Sequence, residues 1–123
     1  MALFEKIPEN TASYHLFDHS QPTLIFNTEL DAEEENLTFV KIPIGQSLSY
    51  ILDELYRRQV QAVMVEGGRR LLDRFLTANL WDEARILIGN TTFGRGLRAP
   101  VIPHPADVTE KVGDNVQLTV FNG

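Results

Sequence analysis

Three consecutive residues, Glu66, Gly67 and Gly68, carry the clearest chemical signal in the sequence. A glycine pair lets the backbone take conformations closed to residues with a Cβ and come within contact distance of a ligand. The residues that follow, Arg69 to Leu72, open an amphipathic pattern, so the unpaired N–H groups of a helix start point at the same spot. Together these residues suit a phosphate or a dinucleotide, and Glu66 adds a carboxylate at the mouth of the site. The same pair also serves as a plain tight turn between strand and helix, with Glu66 a solvated loop acid. Arg95 and Arg98, in a loop rich in Gly, Arg and Pro from Thr91 to Pro105, are further cations for a phosphate or ordinary surface charge. His15 and His19 stand four apart, the spacing of a helical metal pair, but no third ligand accompanies them and His104 adds nothing, so no metal site is expected.

The elements that must hold these residues are read from periodicity. Ala62 to Val65 is an unbroken apolar run of strand length, which predicts a strand buried on both faces before the glycine turn. The helix after it places Leu72, Phe75 and Leu76 on a sheet and turns Asp73 and Arg74 to water. Upstream, strands are predicted at Thr23 to Asn27 and Leu37 to Ile42. They are followed by a helix over 47–58, N-capped by Ser47, with Leu48, Ile51, Leu52, Leu55 and Tyr56 as its apolar stripe. Strand 37–42, helix 47–58 and strand 61–65 then form a right-handed parallel βαβ unit. Trp81 reads as a packing residue at the turn into a third parallel strand, Ala84 to Ile88. A terminal hairpin pairs Val108–Val112 with Val116–Phe121 across the three-residue loop Gly113-Asp114-Asn115, with Val116, Leu118 and Val120 on one face. Residues 1–22 read as irregular surface structure, and the five carboxylates among the eight residues from Glu29 to Asn36 as a solvated connector.

Composition excludes several classes. A chain of 123 residues that is 43% hydrophobic holds one domain with a real core. A net charge of −6 is wrong for gripping a phosphate backbone, so no nucleic-acid partner is expected. No apolar run reaches the roughly 18 residues of a membrane span, and no signal-peptide pattern follows Met1, which predicts a cytoplasmic protein. Zero cysteines rule out a disulfide framework and a Cys-ligated zinc.

The stretch VMVEGGRRLLDRFLTANLWDEARILIG, followed by Phe93-Gly94 and Gly96, resembles the EGG-x-x-L…FL…L-x-DE…G-x-G pattern of the reductase domain of the bifunctional riboflavin-biosynthesis deaminase/reductase. FDHSQPTLIFNTE is similar to that family's segment leading into an inner strand. The resemblance implies a dihydrofolate-reductase-like fold: a three-layer α/β domain with a mostly parallel sheet and a C-terminal antiparallel hairpin. The whole chain, 1–123, then reads as a single partial reductase domain, truncated at the N-terminus and starting after the strands that carry most substrate contacts. It implies NADPH-dependent reduction of the ribosyl chain of 5-amino-6-(5-phosphoribosylamino)uracil to the ribityl chain. By resemblance, Gly67, Gly68 and Arg69, Arg70, Leu71 and Leu72 face the cofactor phosphates, and Thr28 approaches the cofactor from a strand end, or is a simple turn residue. Glu66 hydrogen-bonds the sugar or helps a proton move. Two other classes fit the same residues: a non-catalytic nucleotide-binding or oligomerisation module, and a pterin or dihydrofolate-type reductase. A homodimer is expected, because an inner strand without its neighbour leaves an apolar edge uncovered and because the resembled family is dimeric. The candidate interface is the hairpin with Val116, Leu118, Val120 and Phe121.

Overall fold

The computed structural model describes residues 1–3, 6–45 and 48–123, and the predicted cap Ser47 lies outside them. The chain divides into two compact units, Met1–Val63 and Met64–Gly123.

The first unit is built on a four-stranded sheet ordered β1-β2-β4-β3, from β1 (Ala2–Leu3), β2 (Thr23–Asn27), β3 (Ala32–Glu34) and β4 (Leu37–Lys41). β2 lies parallel to both β1 and β4, with Ile25 opposite Ala2 and Phe39, while β3 runs antiparallel along β4. Side chains alternate across a strand, so the apolar run of β2 feeds two cores. Phe26 packs with Val40, Ile42, Ile51 and Leu55, whereas Ile25 packs with Phe17, Leu37 and Phe39. Phe26 and Ile25 are fully buried, and each such side chain contributes about 1.5–3 kcal/mol of transfer free energy.

The helix α1 (Leu48–Arg57) supplies Ile51 and Leu55 to the first core. Tyr56, expected on its apolar stripe, is 81% exposed, and Tyr50 packs on the core instead. The other core is closed by residues expected to lie loosely on the surface. Two 3-10 turns, Thr11–Ser13 and His15–Phe17, bring Phe17 onto Phe39 with ring centroids 6.3 Å apart. The acidic connector also has more structure than its charge suggests. It turns back at Asn36, whose φ is +57°, and forms the edge strand β3. Charged residues such as Glu33 and Glu34 suit an edge, where they discourage pairing with another chain.

The second unit contains α2 (Arg69–Thr77), β5 (Glu83–Ile88), β6 (Val108–Val112) and β7 (Asn115–Phe121), with its three strands ordered β5-β7-β6. Here the expected topology is corrected. Residues 60–66 form no strand and pair with none among the described residues, and Met64 is 83% exposed. Apolar content signals a tendency to be buried, but a strand also needs hydrogen-bonded neighbours, and periodicity alone does not supply them. The βαβ unit built on that strand is therefore absent. β5 has no parallel neighbour and runs antiparallel to β7, Ile86 opposite Leu118. The sheet of the second unit is wholly antiparallel, so a mostly parallel sheet holds only for β1, β2 and β4.

The terminal hairpin forms with a shorter loop than expected. Val112 pairs with Asn115, which leaves the two residues Gly113 and Asp114 in the turn. Gly113 has φ +61°, as the first central residue of a type II′ turn requires. Of the residues named for an interface, Val120 is only 1% exposed within the single chain and so is not available to a partner, while Phe121 is half exposed.

Candidate functional site around the glycine turn

Gly68 is the N-cap of α2, with φ −68° and ψ 158° and no side-chain cap. Its carbonyl accepts from Leu71 N at 3.0 Å and Leu72 N at 3.4 Å, which starts the helix. Gly67 has φ +156°, a conformation that favours glycine, and a Cβ there would stand 3.3 Å from Leu71 Cδ2. The two glycines thus do different work. Gly67 is required by the fold, whereas a Cβ on Gly68 would meet nothing within 4 Å. Open space beside a helix N-terminus fits the phosphate groups of a dinucleotide, held by main-chain N–H groups and the positive end of the helix dipole.

Glu66, Gly67, Gly68, Arg69, Arg70, Leu71 and Leu72 lie together on this one segment, and Glu66 is exposed. The Arg69 guanidinium lies along the helix, with Nε donating to Asp73 Oδ2 at 3.1 Å, so Asp73 is an ion-pair partner and only partly exposed to water. Arg95 and Arg98 are exposed in an irregular segment from Gly89 to Asp107, as the composition of that stretch predicts. Trp81 packs its ring 5.8 Å from that of His104.

Thr28 belongs to the first unit, one residue beyond β2. The residue before it was not singled out by sequence reasoning. Asn27 is fully buried, and its Oδ1 accepts from Glu29 N at 2.9 Å and Leu30 N at 2.7 Å while its Nδ2 donates to Leu30 O at 2.9 Å. An Asn closing an apolar strand looks like any turn former, and only the burial distinguishes it.

The two histidines have separate partners. His15 Nδ1 lies 3.3 Å from Asp18, and His19 reaches Glu35 O and Glu34. Asp18 is held below the ordinary aspartate range, chiefly by hydrogen bonds from Ser20 and then by His15. Among the described residues no group of three His, Cys, Asp or Glu side chains is arranged to hold a metal, and no helix is long and apolar enough to cross a membrane. In the first unit an open cavity of about 420 Å³ lies beside β3, β4 and α1. Both arginines of its lining are engaged, because Glu54 pairs with Arg57 at 2.6 Å and Arg58 at 2.8 Å, and the lining contains none of the predicted site residues.

No curated protein matches the chain. The profile of the RibD C-terminal domain, the reductase domain of the riboflavin-biosynthesis deaminase/reductase, matches residues 5–120 and so takes in Thr28, the glycine turn and the terminal hairpin alike. That span is nearly the whole chain, and the small α/β units described above are consistent with a dihydrofolate-reductase-like domain; the chain belongs to the RibD C-terminal domain family, a family of oxidoreductases in riboflavin biosynthesis.

Proposed function

We propose that residues 1–123 act as one reductase domain that binds NADPH and reduces the ribosyl chain of 5-amino-6-(5-phosphoribosylamino)uracil to the ribityl chain. The family match over residues 5–120 carries this reading, and the open space at Gly68 supports it. NADPH, when bound, supplies the hydride. The chain's own residues position it: main-chain N–H groups from Gly68 to Leu72 hold the phosphates, and Thr28 meets the cofactor. Glu66 takes the substrate side of the turn, where its carboxylate accepts a hydrogen bond from a sugar hydroxyl or relays a proton taken from water to the reduced chain. The protein is cytoplasmic and works as a homodimer on a small phosphorylated substrate.

The unpaired segment 60–66 favours one other reading, a module that binds the nucleotide without turnover. NADPH oxidation at 340 nm with the phosphoribosylamino-pyrimidine, alongside a fluorescence titration of NADPH, separates the two. Oxidation supports the reductase, binding alone supports the module, and the absence of both overturns the proposal. Light scattering after size exclusion tests the dimer, which a monodisperse mass near 13.9 kDa would refute.

A further inference from the structure

Among the described residues Asn27 is the most deeply buried polar side chain. An apolar side chain would close β2 with no desolvation cost, whereas a buried carboxamide is tolerable only when its hydrogen bonds are made. The shortest of those bonds, to Glu29 and Leu30, go to the turn. Besides the contacts to Glu29 and Leu30, Nδ2 lies 3.3 Å from Ile25 O and 3.5 Å from Val40 O. The same turn is tied twice more, by Ile7 N donating to the Glu29 carboxylate at 3.0 Å and Lys41 N donating to Asp31 Oδ1 at 2.6 Å. Its first residue is Thr28, at the carboxyl end of a strand with parallel neighbours on both sides. Open α/β sheets bind ligands outside such ends.

We propose that Asn27 is a positioning residue, whose carboxamide fixes the Thr28–Leu30 turn so that Thr28 meets the nicotinamide cofactor. The inference rests on the proposed function. Its test is a double-mutant cycle on the full chain, read as NADPH affinity by fluorescence titration, with circular dichroism to confirm folding. Asn27→Ala and Thr28→Val should each weaken NADPH binding about threefold to tenfold, the value of one hydrogen bond. Asn27→Ser, whose hydroxyl can make the same turn more weakly, should recover part of the loss. The double variant should bind no worse than the weaker single variant, because both changes remove one contact. A residue that merely stabilised the sheet would lower the melting temperature and leave affinity unchanged, or give additive losses, and either result overturns the inference. If Asn27→Ala does not fold, Asn27→Ser takes its place in the cycle, and wild-type affinity in it counts against the inference. A wild-type chain that binds no NADPH overturns the proposed function and this inference with it; a wild-type chain that binds, with Asn27 indifferent, overturns this inference alone.

Discussion

Asn122 donates its side-chain amide to the main-chain carbonyl of Trp81 at 2.7 Å. The same Nδ2 reaches Asn79 Oδ1 at 3.0 Å, and Asn122 N donates to Asp82 O at 2.8 Å. One residue beyond β7 therefore holds the link from α2 into β5. Asn122→Ala removes two side-chain bonds and leaves the Trp81 carbonyl without this donor, so the expected cost is about 1–2 kcal/mol. Urea unfolding measures it, and an unchanged midpoint would show that water replaces the amide.

The two glycines of the turn should separate stability from binding. Gly67→Ala forces a Cβ into a glycine conformation and against Leu71, and should destabilise the chain by about 1–3 kcal/mol. Gly68→Val meets no protein atom within 4 Å of its Cβ, so it should fold normally and lose NADPH binding. Full NADPH affinity in folded Gly68→Val would remove the cofactor from this turn.

Glu66 should be dispensable for cofactor binding and needed for turnover. Glu66→Gln should lower the rate at least about tenfold, roughly 1.4 kcal/mol of transition-state stabilisation, with NADPH affinity intact. Wild-type turnover would make Glu66 a bystander.

Both helices end in the same way. After α1, Gln59 has φ +61°, Gln59 N donates to Tyr56 O and Val60 N to Leu55 O; after α2, Asn79 has φ +55°, Asn79 N donates to Leu76 O and Leu80 N to Phe75 O. This is the Schellman motif, whose left-handed position favours glycine. Asn tolerates it better than Gln, so Gln59→Gly should stabilise the chain by about 0.5–1 kcal/mol. A lowered melting temperature would mean that the Gln59 side chain has an interaction worth more than the strain.

Much of the fold is legible in the amino-acid sequence. β2, β4, both helices, β5 and the hairpin fall within a residue or two of where their apolar runs and the turn residues between them put them. β3 was hidden by its charge, since an edge strand gains from Glu33 and Glu34 what an inner strand would lose. β1 is two residues long, too short for any period. Ala62 to Val65 misled in the opposite sense, because pairing partners are a property of the whole fold. At the site, the Glu66–Leu72 cluster could be read from glycine spacing and a helix start. Asn27 could not, because its importance lies in being buried.

The stretch from Val60 to Glu66 has a chemical consequence. It carries no regular structure and is largely exposed, and the boundary between the two compact units falls inside it, between Val63 and Met64. A protease needs an accessible segment that can enter its cleft without first unfolding a helix or sheet. Brief digestion with elastase or chymotrypsin should therefore nick the chain there early, giving two pieces of nearly equal mass. First cuts confined to the Gly89–Asp107 loop would show that 60–66 is sheltered. In a cell, the same bond would be an entry point for degradation, and a bound nucleotide gripped at Gly68, a few residues downstream, would slow that cleavage.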